Sequence, residues 1–82
     1  MTSIRERLNQ LDDQLMRLLD ERFSLMGEVA KAKKAQNVPL TDPKREALIL
    51  QKTEPYPHAN EIREVYQSIF KEAKKLQKGR SL

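Results

Sequence analysis

Arg22, Met26, Val29 and Lys33 fall at i, i+4, i+7 and i+11. Eleven residues of α-helix rotate by about 1,100°, only about 20° from whole turns. Arg22 and Lys33 therefore share one helix face, about 16 Å apart along the axis. Two long cationic side chains leaning toward each other across that gap can grip one small anion. Arg22 also interrupts an apolar seam, where a charge is costly unless paired. It meets either a carboxylate from another helix or an anionic ligand.

Other polar residues stand in equally odd places. Gln77 follows Ala73 by four residues and continues an apolar stripe. An inward amide of this kind bonds backbone, another core polar group or a ligand. Arg45 and Glu46 sit just after Asp42, in the first turn of a short helix, where a cation is mildly unfavourable. Arg45 belongs either to a surface ion pair or to an anion site. Arg5 lies 17 residues before Arg22, about 25 Å away on the same helix and turned by about 100°. It cannot reach a ligand that Arg22 holds in the same chain. It is either a solvated surface residue or, in an antiparallel dimer, a contribution to the partner's pocket.

Together these residues supply three or four cations, a carboxylate and an amide to an otherwise apolar helical frame. No cysteine is present and His58 stands alone, so no disulfide, thiolate site or histidine metal site is available. There is no Ser-His-Asp set, no Gly-rich phosphate loop and no evident general base. The set suits an enzyme whose substrate is a small polyanion and whose reaction needs neither proton transfer nor covalent catalysis. Such an enzyme holds a shape and stabilises developing charge. Neither a metal nor a cofactor is expected.

The elements that must position these groups read as all-α. Apolar residues recur at Ile4, Leu8, Leu11, Leu15, Leu18, Leu25, Val29 and Ala32, with Arg22 in their rhythm and Gly27 as the one break. This predicts a single helix from Ile4 to about Lys34, capped by Thr2 or Ser3 with Glu6 three residues beyond Ser3. Residues 36–40 form a connector. Asp42 is a good N-cap and Pro43 suits the first position of a short second helix ending before Pro55. After a rigid Pro55-Tyr56-Pro57 connector, a third helix runs from about Ala59 or Asn60 to Lys78. Its apolar stripe is Ile62, Val65, Tyr66, Ile69, Phe70, Ala73 and Leu76. Gly79 stops it and residues 80–82 fray.

The chain has 82 residues, enough for one domain, here 1–82. A first helix of roughly 30 residues spans about 45 Å, longer than the roughly 30 Å breadth of a compact domain of this size. Its overhanging apolar seam needs cover, which a homodimer of intertwined long helices provides. The net charge of +4 comes from 16 Lys and Arg against 12 Asp and Glu. It permits a nucleic acid, an anionic surface or a small anion as partner and selects none of them. Much of the excess, Lys71, Lys74, Lys75, Lys78 and Arg80, lies near the C-terminus, where cations oppose the helix dipole favourably. No apolar run reaches signal-peptide or membrane-span length, so a cytoplasmic protein without membrane association is expected.

The sequence resembles the all-α (AroQ-class) chorismate mutases. The resemblance is carried by Ile4-Arg5-Glu6-Arg7-Leu8 with Leu11-Asp12, by Leu18-Leu19-Asp20-Glu21-Arg22, and by Val29-Ala30-Lys31-Ala32-Lys33. It continues through the run from Val38 to Glu46, and then Ile69-Phe70 through Leu76-Gln77. It implies an intertwined homodimer with two equivalent active sites and a Claisen rearrangement of chorismate to prephenate, on the route to phenylalanine and tyrosine. By position, Arg22 and Arg45 would bind substrate carboxylates, and Arg5 would do so from the other subunit. Lys33 and Gln77 would donate to the ether oxygen. Glu46 would hold the ring hydroxyl, with backbone near Asp42 assisting. Ala73 stands where the family often has a small hydroxyl residue.

Three other readings compete. Isochorismate–pyruvate lyases resemble the same helical dimer, but that subgroup has a shorter connector and an apolar residue where Glu46 sits, so the segment from Val38 to Glu46 favours the mutase. A regulatory or docking module could keep the fold while partnering a larger enzyme of the pathway. A basic helical nucleic-acid binder would give no reason for Arg22 and Gln77 to face inward, and no nucleic acid is expected.

Overall fold

The computed structural model describes residues 3–35 and 42–77, the side chains of residues 30 and 33–35 excepted. Three helices, α1 (Ile4–Ala35), α2 (Pro43–Gln51) and α3 (Ala59–Gln77), account for the described secondary structure. This is the all-α order expected from the periodicity. The connector over residues 36–40, the Thr2 cap, Lys78, the Gly79 stop and the tail lie outside the described residues.

Local chemistry sets the helix starts. The Glu6 amide donates to Ser3 Oγ at 3.1 Å, which satisfies one of the amides that a helix N-terminus leaves over. The Arg45 amide donates to Asp42 Oδ1, also at 3.1 Å, and Pro43 follows the cap, where its missing N–H costs nothing. α2 has nine residues, too few to be stable alone. It survives because α3 packs against it, as α3 also packs against α1.

The core is small and lies on α3, where Ile69, Phe70 and Ala73 are buried. Leu19, Arg22, Phe23, Met26 and Val29 of α1 are half-buried. At about 100° per residue, Leu19 and Met26 fall to one side of Arg22 and Leu18 and Leu25 to the other. α3 covers the first side only. The expected seam is therefore split, because its apolar stripe is wider than one helix can cover. Ile4, Leu8, Leu11, Leu15, Leu18 and Leu25 are 53–78% exposed in the single chain. Val65, expected in the inward stripe of α3, is exposed as well. α1 has 32 residues, and the molecule measures 53 × 27 × 18 Å with a radius of gyration of 15.5 Å. A compact chain of this length would have a radius near 12 Å, so α1 overhangs the rest. No described helix is long and apolar enough to cross a membrane.

The joint between α2 and α3 is wound tightly. Successive turns link Thr53 to Leu50, Glu54 to Gln51, Tyr56 to Thr53 and Ala59 to Tyr56 through backbone hydrogen bonds of 3.0–3.1 Å. Thr53 is 3% exposed. Its hydroxyl donates to the Leu50 carbonyl at 2.6 Å and accepts from Arg63 Nε at 2.9 Å. That side chain clamps the end of α2 onto the first turns of α3. Thr53→Val keeps the shape and removes both bonds, and it is expected to cost about 1–3 kcal/mol. Urea unfolding measures this, and an unchanged midpoint would show that solvent replaces both bonds.

Candidate active site

Polar residues scattered over more than 50 positions of sequence meet at one cavity of about 390 Å³. α1 brings Arg22, Met26 and Val29; the start of α2 brings Asp42, Arg45, Glu46 and Ile49; α3 brings Phe70, Ala73, Lys74 and Gln77. Each helix contributes one face at helical spacing. The volume lies in the range of small-molecule sites.

Arg22 is the innermost charge. Its guanidinium carbon lies 5.9 Å from the ring centroids of both Tyr66 and Phe70, within cation–π range. Those rings sit 5.7 Å apart in a tilted pair, and of the two Phe70 lines the cavity. Aromatic faces attract the charge but accept few hydrogen bonds. Arg22 Nη1 is buried with no hydrogen-bond partner among the described residues. No described carboxylate lies within ion-pair distance of Arg22, so the alternative of an internal ion pair is not what the fold builds. Arg22 lines the cavity and no described carboxylate neutralises it, so its guanidinium is suited to bind an anion there.

Gln77 spans the same cavity from α3. Its Nε2 donates to the Met26 sulfur at 3.3 Å. A thioether is a weak acceptor, so this contact orients the amide without engaging it strongly. Arg45 and Glu46 are placed by the Asp42 cap, which fixes the first turn of α2; the Glu46 amide also donates to the Asp42 carbonyl at 3.1 Å. Arg45 is exposed and Glu46 half-buried. Glu46 pairs across helices with Lys74 at 3.4 Å, not with Arg45. Ala73 is buried against the cavity and presents a methyl group there.

Six of the eight residues expected at the site line this cavity: Arg22, Asp42, Arg45, Glu46, Ala73 and Gln77. Arg5 does not; it lies nearly five turns from Arg22 on the overhanging end of α1. Lys33 belongs to α1, and its side chain lies outside the described residues. Sequence reasoning missed Lys74 and the aromatic pair beside Arg22. Tyr66 and Phe70 precede Gln77 by eleven and seven residues, so their shared face was available as a signal. Lys74 carried no such signal, because its tie to Glu46 exists only once α2 and α3 pack. Among the described residues, no group of His, Cys, Asp and Glu could hold a metal ion.

Comparison with known proteins places the chain in a family. A chorismate mutase of Methanocaldococcus jannaschii is 35% identical over 49 residues, covering 60% of this chain and 50% of that protein. The match thus spans about half the length of that curated relative. A solved structure described as chorismate mutase (form II) from Thermus thermophilus superposes with a TM-score of 0.85 at 28% identity. That match covers 96% of this chain and 94% of the other. The sequence model of the family described as chorismate mutase type II matches residues 4–78, a span that takes in Arg5, Gln77 and every cavity-lining residue between them. With that match along nearly its whole length, the chain belongs to the chorismate mutase type II family.

Proposed function

We propose that this chain is a chorismate mutase, an isomerase that converts chorismate to prephenate on the way to phenylalanine and tyrosine. The observation that carries this reading is the single cavity where Arg22, Arg45, Glu46 and Gln77 converge in a member of that family. The reaction is unimolecular: an ether C–O bond breaks as a C–C bond forms, and no proton moves. The protein's task is to select a compact, chair-like conformer of a flexible dianion and to favour the charge distribution of the transition state. Arg22 and Arg45 grip the carboxylates. Gln77 and Lys33 donate to the ether oxygen, which becomes more negative as its bond lengthens. Glu46 accepts the ring hydroxyl, and the Asp42 cap holds that turn of backbone in place. Arg22, Lys33 and Gln77 carry the catalytic effect; the other residues bind and orient.

The active form is an intertwined homodimer. The exposed apolar row of α1, from Ile4 to Leu18, supports this reading, since so large an uncovered stripe is unusual for a monomer. Arg5 supports it too, being placed far from the cavity of its own chain. In the dimer Arg5 reaches the partner's cavity, so each site draws on both subunits.

Purified chain incubated with chorismate is expected to consume it, seen as loss of ultraviolet absorbance, and to release prephenate. Salicylate with pyruvate, obtained from isochorismate, would assign the lyase reaction instead. An inactive chain would point to a docking module for a pathway enzyme. Gln77→Ala and Lys33→Ala are each expected to lower turnover on the order of 10²-fold, as for loss of a preorganised donor; a fall under about threefold excludes that residue from the site. Arg5→Ala and Arg22→Ala subunits, each impaired alone, are expected to regain activity when mixed, because each heterodimer keeps one intact site. Verified heterodimers without regained activity would rule out shared sites.

A further inference from the structure

Lys74 has no part in the reaction described above, yet it is the cation that α3 holds against Glu46. Its Nζ lies 3.4 Å from Glu46 Oε2, with the two side chains 43% and 28% exposed. The pair joins α3 to the first turn of α2, and both residues line the cavity. Lys71 and Lys75 border a neighbouring depression with Glu46, but Lys75 is engaged by Glu72 at 3.2 Å. Among the described ion pairs, Lys74 alone reaches Glu46.

A carboxylate poses a problem in a cavity that takes a dianion. At a few ångströms the like charges repel, the more so where the surroundings are less polar than water. Glu46 must nevertheless remain a carboxylate to be a strong acceptor for a hydroxyl. It must also face the right way, although its side chain has several rotamers. Asp42, the other carboxylate at this cavity, is held by the Arg45 amide. Glu46 has no comparable backbone tether. Lys74 meets both needs: it offsets the charge of Glu46 and fixes the carboxylate from the opposite helix. Its place follows from register, because it comes directly after the buried Ala73 and so stands at the cavity rim.

We infer that Lys74 is the positioning residue for Glu46, orienting and neutralising the carboxylate that receives the substrate's ring hydroxyl. Lys74 thereby governs recognition of that hydroxyl without touching the substrate itself. The inference rests on the cavity being the chorismate site.

The test is a double-mutant cycle of Lys74→Met and Glu46→Gln, with Lys74→Arg as the conservative control. It reads kcat/KM for chorismate, with calorimetric binding of prephenate as a second readout for slow variants. Prephenate keeps both carboxylates and the ring hydroxyl. Circular dichroism melting confirms that each variant is folded. Lys74→Met is expected to lower kcat/KM and prephenate affinity about fivefold when Glu46 is present. In the Glu46→Gln background it is expected to change either by less than about twofold, and Lys74→Arg is expected to stay within about twofold of the original chain. Equal losses in both backgrounds would make Lys74 a direct contact to the substrate and overturn the inference, as would no loss in either. An unsubstituted chain that neither turns over chorismate nor binds prephenate would overturn the assignment of the reaction, and this inference with it.

Discussion

A guanidinium cannot sit in an apolar interior with its N–H groups unmet unless something compensates. Half-buried Arg22 meets this constraint at one atom: Nη1 is buried without a hydrogen-bond partner among the described residues. The faces of Tyr66 and Phe70 attract its charge but leave its directional bonding capacity unused. Much of the surrounding structure follows from that arrangement. α3 must present two aromatic rings at one level, and their stripe continues about two turns further to Gln77. An anion in the cavity would meet a guanidinium that is already partly desolvated and held against two rings, which favours its binding.

The second constraint is how a nine-residue helix can carry two of the cavity's charges. α2 is too short to specify its own position. Its first turn is set locally by the Asp42 cap, and its far end is held by the Thr53 hydroxyl, which ties the end of α2 to Arg63 of α3. Between these anchors Arg45 and Glu46 acquire defined directions. The Lys74–Glu46 contact adds a third tie, this one at the cavity itself. The site is thus built from two long helices and a short one pinned to α3, which suits a function that depends on holding one conformer.

Helix α1 has a different logic. Its inner half serves the cavity through Arg22, Met26 and Val29, while its outer half carries an uncovered apolar row and Arg5. One helix thus faces a site within its own chain and offers a surface to another. The proposed dimer accounts for both and would add apolar burial to a chain with so small a core.

Helix identity and the order of elements were legible in the sequence, because periodicity, the Ser3 and Asp42 caps, Pro43 and the Pro55 to Pro57 connector are local signals. So was the oddity of Arg22 and Gln77, since a polar residue out of phase with its stripe shows in the sequence. The rhythm did not show which flank of a stripe is covered within the chain. It put Arg22 in line with Leu18 and Leu25, whereas α3 covers only the flank bearing Leu19 and Met26, and a one-dimensional pattern cannot tell which flank a neighbour will take. Thr53 and Lys74 were invisible for the same reason. Their partners, Arg63 and Glu46, are ten and 28 residues away, and nothing in local propensity links them. The sequence by itself determined the helices and which side chains could not rest quietly on them, because hydrogen bonding and amphipathicity act within a few residues. Only the tertiary structure decided which of those side chains share a cavity and which cation stands against Glu46, because those relations depend on how three helices cross in space.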